Sequence, residues 1–309
     1  MNKQGSVLTK EQFSGAPIER AHLHRGFTSK KTPLKWIRFF RACVLQREHA
    51  NDKKKKELKK IWIGALSLIV LGFIINYFFY FPVFILIIAS LGIAILFTIK
   101  INSKFRKKYT DGFDFFSDYF SAFFTLIEED LQPQSRISLE ANVKDTIQST
   151  NLIKQEKHDA NTSGFISGNN YYYEKEISKG SCFLSDGSML SFNFTERLRN
   201  RIITKRGRVS GKQKTKQKYK SVYPFVLKMK IPKTKYILKK EVDKSNIQLA
   251  EDTSFYIVKT TRKFDIKNEH PEKYQPYSSS SIEMFSSDYF ALELINLINV
   301  SYSCVTPRV

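Results

Sequence analysis

The strongest pattern along the chain is a run from residue 61 to residue 99 with no Asp, Glu, Lys, Arg or His. One bilayer pass needs about 20 apolar residues, so this run suits two passes better than one. Asn76, Tyr77, Tyr80 and Pro82 interrupt the aliphatic pattern midway, and proline suits the first turn of a second helix. The expectation is a transmembrane helical hairpin with spans at residues 61–79 and 82–99.

Lys53, Lys54, Lys55, Lys56, Lys59 and Lys60 precede the run, and Lys100, Lys104, Arg106, Lys107 and Lys108 follow it. The excess of Lys and Arg on cytoplasmic flanks then places both ends of the hairpin, and both termini, in the cytoplasm. Trp62 marks the inner interface, with Tyr77 and Tyr80 at the outer one. The small residues Gly64 and Gly72, with Ser90, Ala94 and Thr98, suit close packing within the hairpin or contact between copies in a homo-oligomer. With no charge at membrane depth, the hairpin reads as an anchor, not as an ion or proton path. The expected location is the cell (inner or plasma) membrane, as a multi-pass protein with the lipid bilayer as its first partner.

Residues 1–60 read as a basic cytoplasmic tail, its first 33 residues as a flexible arm. Lys3, Lys10, Glu11, Glu19, Arg20 and Arg25 leave no continuous apolar core there, which argues against a cleavable signal peptide. Over residues 34–47, Trp36, Ile37, Phe40, Cys43 and Val44 share one helical face. Two readings compete. Trp36, Ile37, Phe40 and Val44 dip into the headgroup plane as an interfacial helix, or that face packs on a soluble domain.

Residues 100–309 read as a cytoplasmic α+β domain, a mainly antiparallel sheet with a helix at each end. Phe113, Phe116, Phe120, Phe123, Phe124, Ile127 and Leu131 recur at period 3.6 and predict a helix over 113–131. Strands are predicted at 136–143, 171–184, 188–194, 221–231 and 254–264. Asp186-Gly187 signals a two-residue hairpin turn. Polar stretches at 155–170 and 267–281 read as loops, and 288–300 as a closing helix. A fragment from residue 109 onward is expected to fold alone.

Chemistry comes last because little of it is visible. Cys43, Cys182 and Cys304 are too dispersed for a disulfide framework or a zinc site, and His22, His24, His49, His158 and His270 have no ligand spacing. There is no P-loop, dinucleotide fingerprint or nucleophile elbow. Glu128, Glu129 and Asp130 read as solvating groups. No catalytic residue, cofactor or metal is assigned.

The net charge of +22 points instead to polyanions, and it concentrates in one place. Arg197, Arg199, Arg201, Lys205, Arg206, Arg208, Lys212, Lys214, Lys216, Lys218 and Lys220 lie within 24 residues that contain no acid. The lysines from 212 to 220 recur at every second position, which in a strand aims them to one side. Gly207 and Gly211 bracket a turn, so residues 197–220 suit a projecting basic ribbon, although Thr195 equally suits the cap of a short helix over the first arm. The expected function is that of a non-enzymatic, membrane-anchored binding or scaffold protein. Its basic domain would meet an acidic protein or an anionic lipid surface. The alternative is a membrane-tethered nucleic-acid binder, with Tyr219 and Tyr223 as stacking residues, and the third reading is an enzyme with an unrecognised active site. A simpler role for the lysines is to guard a sheet edge against aggregation.

Overall fold

The computed structural model describes residues 19–79, 83–109, 114–160, 163–239, 246–269, 271 and 288–308. They divide into two compact units, one of residues 1–40 with 113–309, the other Arg41–Gly112.

The described helices are α1 (Glu19–His24), α2 (Pro33–Phe79), α3 (Val83–Lys108), α4 (Ala122–Leu126), α5 (Ile266–Glu269) and α6 (Tyr289–Tyr302). The strands are β1 (Gly26–Lys31), β2 (Ile137–Asn142), β3 (Leu152–Lys157), β4 (Phe165–Phe183), β5 (Met189–Arg206), β6 (Gln213–Pro232), β7 (Tyr236–Leu238), β8 (Ile247–Glu251), β9 (Phe255–Phe264) and β10 (Val305–Pro307).

The larger unit is an antiparallel sheet in the order β1-β2-β4-β5-β6-β9-β8, with β3 added to β4; β7 and β10 form a separate pair. Strand alternation builds its core. Leu190, Phe192, Phe194 and Leu198 of β5 face the same side as Tyr223, Phe225, Leu227, Met229 and Ile231 of β6, and all are buried. On that face Phe194 stacks on Phe225 at 4.0 Å, with Tyr119 and Phe290 at 5.3 and 5.0 Å from Phe194. Gly180 is required there, because a Cβ would lie 2.5 Å from the Phe192 ring.

Several expectations change. The predicted helix over 113–131 is a π-helical turn, Phe115–Ser121, running into the short α4. Asp114 accepts from the Phe116 N–H while its own N–H donates to Asp118, and the wider turn brings Phe116, Tyr119, Phe120, Phe123 and Phe124 together in the core. Phe113 lies outside the described residues. Residues 155–170 are not one loop, since they include the second half of β3 and the start of β4. Of the loop expected at 267–281, residues 267–269 belong to α5, and 270 and 272–281 lie outside the described residues.

The turn after β4 also differs. Gly187 alone has a positive φ, +88°, while the Leu184 N–H donates to the Ser188 carbonyl and the Gly187 N–H to the Leu184 carbonyl. This is a three-residue loop ending in a bulge, not the two-residue turn that needs positive φ at both positions. Asp186 thereby turns its carboxylate inward to accept from the Ser188 N–H and the Ser188, Tyr236 and Tyr302 hydroxyls at 2.7 to 2.9 Å. Burial raises this carboxyl, but the donors together outweigh it and leave its pKa below the ordinary value. Burial, then Asp186, push Tyr236 up to about 12.

The N-terminal arm is built into the sheet. Residues 1–18 lie outside the described residues, but β1 pairs in full register with β2, from Gly26–Asn142 to Lys31–Ile137. Phe27, Trp36, Ile37 and Phe40 are buried; Trp36 stacks on Phe40 at 5.4 Å, Phe40 on Phe120 at 5.3 Å, and the Trp36 indole donates to the Ile137 carbonyl at 3.0 Å. The interfacial reading of Trp36, Ile37 and Phe40 is therefore corrected, because the sheet unit's own core occupies their face; Val44 is half-buried.

The expected helix at 34–47 and the expected first span are parts of one helix, since Pro33 opens α2 and no glycine or proline follows before Gly64. Asn76 and Tyr77 lie inside it, and residues 80–82, where the turn was expected, are outside the described residues. Two helices, Pro33–Phe78 and Val83–Lys108, are long and apolar enough to cross a membrane. They meet where Gly72 faces Leu86, a Cβ there reaching Leu86 Cδ1 at 3.0 Å, and Ala65, Ser90 and Ala94 are buried. Gly64, by contrast, faces open space.

Candidate polyanion-binding face

Beyond the body of the sheet, β3, β4, β5 and β6 continue as an arm, so the basic segment is not a two-stranded ribbon. β5 runs unbroken to Arg206, which removes the short-helix alternative at Thr195. The β5–β6 register places Arg199 opposite Lys220, Arg201 opposite Lys218, Ile203 opposite Lys216 and Lys205 opposite Lys214. Directly paired residues share a face. Arg197, Arg199, Arg201, Lys205, Lys214, Lys216, Lys218 and Lys220 thus lie on one side, the side away from the aromatic core. Arg206 pairs with Gln213 on the other side, and Arg208 and Lys212 lie in the turn, where Gly211 has φ of +62°.

Like charges directly opposite one another destabilise a strand pair. Part of the cost is offset. Glu174, opposite Arg197, binds its Nε at 2.9 Å; Asn170 accepts from Arg201 Nε at 2.9 Å; and Asp265 holds Lys220 at 2.9 Å. Arg199, Lys214, Lys216 and Lys218 have no ion pair among the described residues. The field reaches His158, whose pKa is lowered by burial, then by Arg201 and more weakly by Arg199 and Lys205, against Asp159. The same side of the sheet body carries Lys228 opposite Lys259, with Lys230 and Lys263.

The stacking residues named from sequence are not on this face. Tyr223 is fully buried and donates to Glu196 at 3.2 Å, so no base can reach its ring. Tyr219 pairs with Asn200 on the opposite side of the arm. The aromatic that does lie among the cations is Tyr172, opposite Arg199. The sequence signal was the run Tyr171-Tyr172-Tyr173, in which alternation must send the middle ring to the other face. Tyr172, Arg199, Lys220, Val222 and Lys263 line a recess of about 320 Å³.

A second polar cluster carried no sequence signal. Lys175 and Glu196 face each other across β4 and β5 on the core side, Nζ to Oε2 3.7 Å, each side chain 4% exposed. Thr146 and Tyr223 donate hydroxyls to Glu196, and Lys175 donates to the Lys144 carbonyl. Both carboxylate oxygens and the ammonium group thus have partners inside the core. Cys43, Cys182 and Cys304 are all buried. Glu128, Glu129 and Asp130 are exposed in the turns after α4. Among the described residues no group of three or more His, Cys, Asp or Glu is placed to hold a metal ion. No protein-family model, no curated protein and no solved structure matches the chain.

Proposed function

We propose that the protein is a bilayer-anchored, non-enzymatic binding or scaffold protein whose cytoplasmic sheet domain engages an acidic protein or an anionic lipid surface through its basic face. The observation that carries this reading is the direct pairing of cations across β5 and β6. A solubilising or edge-guarding role needs only one or two lysines, and it gives no reason to oppose like charges at a cost in stability. A dense anion supplies that reason.

The anchor is supported by where the apolar surface of the two long helices lies. Leu66, Ile88 and Leu96 are 63%, 68% and 68% exposed, whereas a core helix of a water-soluble protein buries such residues. Its topology is tested with Asn51→Cys and Ser103→Cys in a background lacking the native cysteines. An impermeant thiol reagent should label neither from outside intact cells and both after lysis. Labelling of the two positions from opposite sides overturns the hairpin.

For the binding face, the full-length protein in neutral detergent is tested against anionic vesicles and an acidic polypeptide. Changing Lys214, Lys216 and Lys218 to Gln should weaken binding by about tenfold or more, since each lysine near an anionic surface contributes up to roughly 1 kcal/mol. Wild-type binding should fade as salt screens the charges. The melting temperature should hold or rise, because the substitutions relieve repulsion. Undiminished binding by the folded triple variant would reduce the face to a solvated edge. Preferential retention of single-stranded nucleic acid over both probes would favour the nucleic-acid reading.

A further inference from the structure

Between residues 213 and 220, β6 has a strand on one flank only. β5 lies along that flank, while β9 joins the other side only from the Tyr223–Phe264 pair onward. Among the described residues, no strand covers the outer flank of 213–220. The Gly207 N–H donates to the Lys212 carbonyl at 2.9 Å, which fixes the phase of the ladder, because bonded and non-bonded positions alternate along an antiparallel pair. Backbone groups of Lys214, Lys216 and Lys218 therefore turn toward β5. Those of Gln213, Thr215 and Gln217 turn toward the open flank.

The two series divide the work of recognition. One projects ammonium groups onto the basic face; the other offers backbone N–H and C=O groups at the edge. We propose that this edge accepts an extended acidic polypeptide strand bearing a carboxylate at every second residue. The proposal rests on the polyanion-binding reading and narrows it to a partner class. Alternate side chains of a strand repeat at about 6.8 Å on one face, so carboxylates two residues apart match the spacing of Lys214, Lys216 and Lys218. They would lie beside those lysines as cross-strand neighbours. The intervening residues of the partner meet Gln213, Thr215 and Gln217, all uncharged, and are therefore polar or β-branched. A second copy of β6 is refused by the same geometry, because lysine would face lysine.

Full-length protein in neutral detergent is titrated with a short fluorescent peptide alternating Glu with Thr and Val, with a peptide of the same composition whose Glu residues are contiguous, and with inorganic polyphosphate. The alternating peptide should bind about tenfold tighter than the contiguous one. Thr215→Pro with Gln217→Pro removes two outward N–H groups and spares the ladder to β5, a placement that edge strands tolerate. That variant should lose about tenfold in affinity for the alternating peptide and keep its affinity for polyphosphate within about twofold. If the prolines disturb the arm, N-methylation of the peptide at its edge-facing residues tests the same bonds on the unaltered protein and should abolish binding. Equal affinity for the two peptides, or an unaffected proline variant, overturns the strand-addition proposal while leaving the basic face in place. Undiminished binding of both peptide and polyphosphate by the Lys214, Lys216 and Lys218 to Gln variant overturns both.

Discussion

Lys175→Met should destabilise the sheet unit by about 3–5 kcal/mol, the usual cost of stranding one member of a buried ion pair. Glu196 would keep the Thr146 and Tyr223 hydroxyls as donors but would hold its charge at 4% exposure with no cation beside it. Glu196→Leu should be comparably harmful, since Lys175 would retain the Lys144 carbonyl and the charge of Asp145 but lose its paired carboxylate. Burial already lowers the Lys175 pKa, with Glu196 opposing that shift, so the lysine would shed its proton more readily. The double variant Lys175→Met/Glu196→Leu should recover at least half of the loss, because an apolar pair of similar volume is often neutral in such a site. Chemical denaturation followed by Trp36 fluorescence reads these differences. Single and double variants within about 1 kcal/mol of wild type would mean that the pair is not a buried ionic contact.

Trp36→Ala should cost about 3–5 kcal/mol, the range for removing a large aromatic from a core. It deletes the stack on Phe40, the contact with Phe27 at 5.4 Å and the bond to the Ile137 carbonyl. A fragment of residues 109–309 loses more, since β1 and the side chains of Phe27, Trp36, Ile37 and Phe40 all leave. That fragment should aggregate or melt without cooperativity, contrary to the expectation drawn from sequence. Supplying residues 19–40 as a fused segment should restore a cooperative transition. A cooperative melt of the 109–309 fragment would show that the N-terminal segment is dispensable.

The placement of β1 in the sheet marks where the sequence is informative. The uncharged run at 61–99 and the strands at 137–142 and 255–264 are legible because composition or alternation continues over many residues. The share of the N-terminal arm in the sheet is not legible, because β1, Gly-Phe-Thr-Ser-Lys-Lys, is short and polar and becomes a strand only through its pairing with β2. The basic stripe was readable from the alternating lysines of β6. Its other half was not, since Arg199 and Arg201 fall on the same face only once the register with Lys220 and Lys218 is fixed. Tyr223 misled for a different reason: at an odd-numbered position among even-numbered lysines, alternation sends its ring to the other side of the strand, and nearness in sequence was no guide.

The paired cations have a thermodynamic consequence for the arm itself. An anion seated on the face would cancel the repulsion between β5 and β6, so ligand and fold are reciprocally linked: whatever binds there tightens the strands that bind it, and an occupied arm outlasts an empty one in proportion to how far the ligand exceeds its dissociation constant. In that sense the missing counter-charge of the arm would be supplied in trans, and the proposed partner would complete what the chain leaves electrostatically unfinished.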